Sequence, residues 1–423
     1  MELKEEYKQS ELGVIPDDWD VVPISTLLEK GARITYGVVQ PGKHLDSGVL
    51  FVRGGDIFAG KIDIQNLRRI PHEISNNYKR TILHGGEILI SLVGYPGEAA
   101  IVPDSLAGAN IARQAALIRL NKEKSISAPY VCSFLLSETG KRLLLNETFG
   151  SAQQVINLKD INKLVILLPR EEAEQEAIAG ALSDADDYID SLQRLIAKKR
   201  LIKQGTTQDL LTGKRRLPGF SGQWQEITLR EIGSTFGGLT GKTKADFGDG
   251  NAQYIPFMNV MSNVVISSED LGRVRVLPAE SQNQVLRGDL LLNGSSETPE
   301  EVAMCSVITE YIPDLYLNSF CFGFRLNAKH KANGLYLAYY LRSNVGRELI
   351  KSLAQGSTRY NLSKIALLKL ELKLPSLPEQ LAISNTLSDM ELAIDALEVK
   401  LVKVLKIKQG MMQELLTGRI RLV

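Results

Sequence analysis

The spacing of apolar and polar positions changes along this chain, and the changes mark its elements. Leu387, Met390, Ile394, Leu397, Leu401, Val404, Lys408, Met411 and Leu415 follow one another in alternating steps of three and four residues. That spacing is the seam of a coiled-coil helix. An earlier stretch carries the same seam at Leu182, Ala185, Ile189, Leu192, Ile196, Lys199, Lys203, Thr206 and Leu210. Pro169 precedes the earlier stretch, Pro375 and Pro378 open the later one, and both close on Leu-Leu-Thr-Gly, at residues 210–213 and 415–418. Proline is tolerated in a first helical turn and glycine terminates helices, so the pattern predicts two helices of about 40 residues, each about 60 Å long.

The two helices are copies of one another. Residues 174–217 and 379–422 align without a gap at an offset of 205. The only two tryptophans, Trp19 and Trp224, are also 205 apart, and residues 130–150 match 336–356 at an offset of 206, as Arg119-Leu120-Asn121 matches Arg325-Leu326-Asn327. Internal repetition fixes architecture before chemistry: one unit is written twice. Between these anchors the halves diverge. Residues 32–46 share little with 237–250, and 92–109 little with 294–316. Loops carried by a copied scaffold are where binding function concentrates.

Ahead of each long helix the apolar runs shorten to strand length and glycine-rich turns separate them. Strands are expected at 49–53, 87–92 and 115–120, and in the second half at 254–258, 289–293 and 321–326. One further helix is expected in each half, at 129–145 and 334–353. The fold class is therefore α+β: a tandem repeat of a mixed α/β domain followed by a long helix, the two long helices pairing as an antiparallel coiled coil. The expected boundaries are a first domain at 1–170, a first spacer helix at 171–213, a linker and second domain at 214–376, and a second spacer helix at 377–418. The polar seam positions Lys199, Lys203 and Lys408 either interrupt the seam or let their stems snorkel along it. The run Lys198-Lys199-Arg200 fits a solvated face or a DNA contact.

Composition narrows the classes. Apolar residues make up 44% and charged residues 23% of the 423, as in a globular protein, and a net charge of +1 announces no nucleic-acid partner by itself. No apolar run approaches a membrane span, and the first residues are charged rather than signal-like. Cys132, Cys305 and Cys321 are scattered and form no metal-spaced pair, which suggests a reducing cytoplasm.

No motif of catalysis stands out. Thr240-Gly241-Lys242-Thr243 resembles the end of a phosphate-binding loop, but Phe236 occupies the place of the required first glycine. Gly94-Tyr95-Pro96-Gly97 lacks the third glycine of a dinucleotide fingerprint, and Glu398-Val399-Lys400 has a nuclease-like spacing on a coiled-coil helix. The chain reads as a binding protein. Two polar loops, 150–157 and 356–361, are rich in the Gln, Asn, Ser, Arg and Tyr side chains that read base edges, and they equally fit ordinary capped turns.

The opening Ser10-Glu11-Leu12-Gly13-Val14-Ile15-Pro16-Asp17-Asp18-Trp19 resembles that of the DNA specificity subunits of type I restriction-modification systems. So do Pro256-Phe257-Met258-Asn259-Val260, residues 356–365 and the ending at 408–418. The resemblance covers the whole chain and both repeats. It implies two target-recognition domains that each read half of a split, asymmetric site in double-stranded DNA, joined by helices that measure the gap. It implies as partners two modification (methyltransferase) subunits and restriction/translocase subunits. S-adenosylmethionine, ATP and Mg would be bound by those partners and none by this chain. Arg53-Gly54-Gly55-Asp56-Ile57 fits the family's strand-to-turn segment, whereas Asn259-Val260-Met261 lacks the acid.

Side-chain type and loop position then nominate the DNA-contacting residues: Arg33, Tyr36, Lys43, Arg113, Gln114, Gln153 and Gln154 in the first half, and Lys242, Lys244, Asn293, Ser295, Arg359 and Tyr360 in the second. The rival readings are a coiled-coil scaffold that never touches DNA and an enzyme whose site is too divergent to recognise.

Overall fold

A computed structural model describes residues 6–145, 155–327 and 332–422. The chain divides into two compact units, residues 1–193 with 399–423, and residues 194–398.

In the first unit, strand Trp19–Pro23 pairs antiparallel with Val165–Pro169. Between these two strands the chain builds a four-stranded antiparallel sheet in the order Ala99–Ile101, Ile88–Ser91, Ala115–Ile118, Thr35–Tyr36, and a three-stranded sheet of Asn110–Ile111, Val49–Val52 and Arg68–Ile70. The two central strands of the larger sheet are buried on both faces, which is why they read as continuous apolar runs rather than alternation. Ile88, Ile90, Ala116 and Ile118 pack on Tyr130, Val131 and Phe134 of helix Ala128–Leu136. Leu89, Ala115 and Leu117 join Val52 and Ile111 on the opposite face.

The second unit repeats this topology. Gln225–Thr228 pairs with Glu371–Leu374. The four-stranded sheet runs Cys305–Val307, Leu290–Asn293, Cys321–Leu326, Gly233–Gly237, and the smaller sheet holds Leu315–Leu317, Phe247–Ile255 and Gly272–Val274. Register is conserved as well: Leu290 faces Phe324 and Asn293 faces Cys321, as Ile88 faces Ile118 and Ser91 faces Ala115.

Two expectations need correction. The helices expected at 129–145 and 334–353 are each two helices, Ala128–Leu136 with Glu138–Leu145 and Gly334–Arg342 with Asn344–Lys351. Ser137 and Ser343 cause the break. Each takes an extended backbone, and its Oγ accepts the amide of Gly140 (3.1 Å) or Gly346 (3.3 Å), starting a new helix with a serine cap. The strand expected at 254–258 ends at Ile255, because Pro256 caps a helix at Phe257–Ser262.

The long helices span Glu172–Leu211 and Leu377–Leu415, and Gly213 and Gly418 follow them at φ +71°, the left-handed turn that glycine enters without strain. No seam position on either helix is exposed. In the first unit Lys408 bonds Asp186 (2.5 Å) and Lys400 lies over the Tyr188 ring (5.2 Å), so the helix segments there run in opposite directions. In the second unit Arg200 bonds Glu398 (2.7 Å) and Lys203 pairs with Glu391, again antiparallel. Lys203 and Lys408 are equivalent in the repeat, as are Glu391 and Asp186. Both lysines keep their stems half-buried on the seam and their ammonium groups on an acid. Burial pushes the Lys203 ammonium below its ordinary value.

Candidate nucleic-acid interface

Backbone hydrogen bonds gather four segments at one end of the large sheet of the first unit. Val38 donates to Ile111 O (2.8 Å), Ala112 to Val52 O (2.8 Å), Arg113 to Val38 O (3.0 Å) and Leu92 to Gln114 O (2.8 Å). The resulting lip carries Tyr36, 43% exposed, with Arg113 and Gln114 beside it. Arg53 grips buried Asp56 through Nε (3.0 Å) and Nη2 (2.6 Å), which raises the guanidinium's pKa further. Gly54 is obligatory here, since a Cβ would lie 2.4 Å from Val93 O and 2.6 Å from Gln114 O. A shallow cavity of about 320 Å³ opens between Arg53, Gly55, Asp56, Val93, Gly94 and Gln114. Phe58 and Tyr95, both about half exposed, meet with ring centroids 4.9 Å apart and planes tilted by 52°.

The second unit repeats three of these four bonds with different side chains. Leu239 donates to Leu317 O (2.8 Å), Asn318 to Ile255 O (3.2 Å) and Gly294 to Phe320 O (3.0 Å). Phe320 therefore occupies the backbone position of Gln114, Met258 that of Gly55 and Asn259 that of Asp56. Asn259 has no arginine to grip. Its amide donates to Ser267 O (2.9 Å) and Asp270 O (3.0 Å) and accepts from Ser267 N (3.0 Å), so it pins the loop after its own helix. That is how the second half does without the acid. Half-buried Arg342 reinforces the same helix, donating to the carbonyls of Val260 (2.7 Å), Met261 (3.0 Å) and Asn263 (2.7 Å), and desolvation lowers its pKa.

Of the first-half candidates the structure brings Tyr36, Arg113 and Gln114 together. Arg33 is exposed but precedes the strand Thr35–Tyr36 on the side away from Arg113, and Lys43 is exposed in the loop whose Leu45 amide bonds Arg69 O. Gln153 and Gln154 lie outside the described residues. In the second half Ser295–Ser296 pairs with Tyr360–Asn361, and Arg359 Nε donates to Ser295 Oγ (3.1 Å), which unites Ser295, Arg359 and Tyr360. Lys244 is exposed. Two candidates are corrected. Lys242, its side chain 4% exposed, is spent on Glu280 (2.5 Å) and Arg275 O (2.5 Å). Asn293 is fully buried, donates to Ser295 O (3.0 Å) and Glu301 O (3.0 Å), and accepts from Met304 N (2.5 Å). Both are braces, closed to a ligand.

Sequence reasoning missed Arg53, Met258 and Phe320. Phe320 did carry a signal: it immediately precedes a copied strand and follows a divergent segment. The catalytic look-alikes dissolve. Gly94-Tyr95-Pro96-Gly97 is a tight turn with Gly97 N bonded to Ser91 O (3.0 Å), and Glu398 is held by Arg200. Among the described residues no group of three or more His, Cys, Asp or Glu is arranged to hold a metal, and no helix is long and apolar enough to cross a membrane.

A second feature also occurs in both units: a cleft between the broken helix and the long helices. In the second unit it measures about 460 Å³, between Arg342–Asn344, Lys203 and Glu391. In the first it measures about 880 Å³, between Ser137–Thr139, Lys408 and Met412. Exposed apolar residues stand on the long helices of each unit, Leu195, Leu201, Ile202 and Leu392 in the second and Tyr188, Val399, Val402 and Leu405 in the first.

Comparison with known proteins finds a family model described as the type I restriction modification DNA specificity domain matching twice, at residues 16–199 and 222–406. The chain is 31% identical over 199 residues to the type I restriction enzyme EcoBI specificity subunit of Escherichia coli, covering 47% of this chain and 41% of that protein. It is 26% identical, over 99% of this chain and 97% of the other, to a Methanocaldococcus jannaschii chain assigned to the specificity subunit of the type I restriction enzyme MjaX. The fold is similar to the crystal structure of the HsdS subunit from Thermoanaerobacter tengcongensis, with a TM-score of 0.52 at 17% identity over 96% of this chain and 98% of that one.

Proposed function

The chain belongs to the type I restriction-modification DNA specificity family and carries two recognition domains, and from that premise we propose that each domain reads one half of a bipartite, asymmetric site in double-stranded DNA. The observation that carries this reading is the pair of lips. One hydrogen-bonded frame presents Tyr36, Gly55 and Gln114 in one unit and Gly237, Met258 and Phe320 in the other. Matching frames with different side chains suit two different half-sites. Arg113, Arg359 and Lys244 supply cations for phosphates, while Gln114, Ser295 and Tyr360 supply groups for base edges.

In this proposal the long helices pair along their seams and set the distance between half-sites. Two modification subunits dock on them, and restriction/translocase subunits join that assembly. The exposed apolar residues on the helices and the two clefts support a docking role, since apolar groups left facing solvent outside the seam mark interaction surfaces. The chemistry belongs to the partners: S-adenosylmethionine with the modification subunits, ATP and Mg with the motor subunits. This chain contributes recognition and spacing, inside the cell.

Exchange of residues 32–120 for the matching segment of another such subunit tests the reading. The methylated motif in the genome should change in one half only, and an unchanged motif sinks the assignment. Insertion of one heptad near Ala197 should lengthen the gap between half-sites, and an unaltered gap refutes the ruler.

A further inference from the structure

Phe320 is 65% exposed at the sheet end, in the backbone position that Gln114 fills in the first unit. Its ring is free but its backbone is not. Phe320 N donates to Asn318 Oδ1 (2.9 Å), its carbonyl accepts Gly294 N (3.0 Å), and Asn318 Nδ2 is anchored on Ile255 O (3.0 Å). Gly238 packs so closely beneath this turn that a Cβ there would lie 2.0 Å from Asn318 O. The turn is therefore clamped from both sides, and the ring is held out of the core.

Two cations are held by residues next to this turn in the fold. Arg359 bonds Ser295, the residue after Gly294. Lys364 Nζ lies 5.5 Å from the ring centroid of Phe322, in the strand that begins one residue after Phe320. Cations beside a clamped apolar ring suit a surface with phosphates at its margins and an apolar group at its centre. In the DNA major groove the apolar group on a base edge is the thymine 5-methyl, while a glutamine pairs with the adenine edge.

We propose that Phe320 is the specificity-determining residue of the second recognition unit and that it contacts a thymine 5-methyl group, where Gln114 at the equivalent position offers hydrogen bonds. This rests on the DNA-reading function proposed above. The second half-site then contains a thymine that the protein reads through its methyl.

The test uses the full chain assembled with its modification subunits and duplexes that carry the bipartite motif read from native genomic methylation. Each thymine is replaced in turn by deoxyuridine, which deletes only the methyl. Wild type should bind about fourfold more weakly at one position of one half-site, the worth of one buried methyl group. Phe320→Ala should bind thymine and uracil duplexes equally, and Phe320→Leu should keep part of the preference. Gln114→Ala should keep the full uracil penalty. A second half-site without thymine, or a wild type indifferent to uracil at every position while still selective for the motif, overturns the Phe320 assignment alone. A wild-type complex with no preference for the motif overturns the DNA-reading function itself.

Discussion

Arg421 closes on Glu174, 247 residues earlier in the chain. Its guanidinium donates to both carboxylate oxygens and also to both oxygens of Asp18 (3.0 and 2.7 Å). Glu174 in turn accepts Trp19 Nε1 (3.1 Å), and Arg421 lies 6.0 Å from the centroid of that ring. The second unit repeats the clasp in part: Arg216 grips Glu379 and lies 5.7 Å from the Trp224 ring, but Trp224 Nε1 is buried without a hydrogen-bond partner. Each tail carries an Arg-Leu pair, Arg216-Leu217 or Arg421-Leu422, whose arginine brings the start of a long helix against a tryptophan. Glu174 and Glu379 are almost wholly buried. Removing the arginine strands a buried carboxylate, which costs about 3 kcal/mol. Arg421→Ala should lower the melting temperature of the first unit by several degrees and change Trp19 fluorescence, while Arg216→Ala should act on Trp224. Scanning fluorimetry of each variant in a Trp19→Phe and in a Trp224→Phe background reads the two tryptophans separately and checks this. Equal changes at both tryptophans would contradict it.

The same clasp gives a pH dependence. Its hydrogen bond to Arg421 holds the Asp18 carboxyl below its ordinary value. A depressed folded-state pKa contributes stability above the unfolded value, near pH 4, and that stability disappears as pH falls through the folded value. Wild type should therefore exceed Asp18→Asn in stability by a constant margin at neutral pH. The margin should start to shrink at about pH 4 and close below that. Denaturant unfolding across that range reads it, and a margin that widens on acidification would reverse the sign.

Much of this frame was legible in the sequence because copied residues keep copied jobs. Arg119 with Glu87 and Arg325 with Asp289 form equivalent ion pairs, and Tyr130 and Tyr336 fill equivalent cores. The long helices were readable from their seams because a single stripe at coiled-coil spacing has few other uses. The broken helices were not, since a serine inside an apolar pattern costs little in propensity, and only the glycine three residues later makes the cap visible. The lip was legible in part. Side-chain type nominates Gln114 and Asn293 alike, but burial decides between them, and burial of a polar residue depends on partners that arrive from far along the chain. An apolar lip residue such as Phe320 is invisible to any search for hydrogen-bonding side chains.

Glycines on helices separate into two kinds. At Gly140 and Gly346 a Cβ would lie 2.1 Å from a backbone carbonyl oxygen of the preceding helix, Phe134 O or Tyr340 O. Either substitution to alanine should destabilise its unit by about 1–3 kcal/mol through overpacking. At Gly180, Gly205 and Gly410, on the long helices, nothing lies within 4 Å of the same atom. Alanine there should stabilise by about 0.5–1 kcal/mol, since it reduces the freedom of the unfolded chain and favours the helix. Denaturant midpoints of the five variants give the comparison, and a stabilising Gly346→Ala would remove the packing argument for the serine-capped break.

All three thiols are buried, and burial pushes Cys132, Cys305 and Cys321 up to about 12. The thiolate is the nucleophile, so at mildly alkaline pH each should be protected from alkylation by far more than an unstructured cysteine. Iodoacetamide labelling followed by mass spectrometry should show little modification in the native protein and complete modification in denaturant. Fast native labelling at Cys321, which lies one residue from Phe320, would mean that the lip turn opens readily.

Asn293 distinguishes a brace from a reader. Its amide uses two donors and one acceptor on the backbone of residues 295, 301 and 304, beneath the strand that carries Ser295. Asn293→Ala leaves those buried groups unpaired, at about 1–3 kcal/mol each for the unsatisfied polar atoms, so the second unit should melt well below wild type. Exposed Arg359 carries no such load. Arg359→Ala should leave the melting temperature nearly unchanged and weaken DNA binding, with a shallower salt dependence if its guanidinium neutralises a phosphate. Measured side by side, thermal unfolding and salt-dependent binding should therefore change in opposite variants. A folded, stable Asn293→Ala protein with altered sequence preference would return Asn293 to the reading surface.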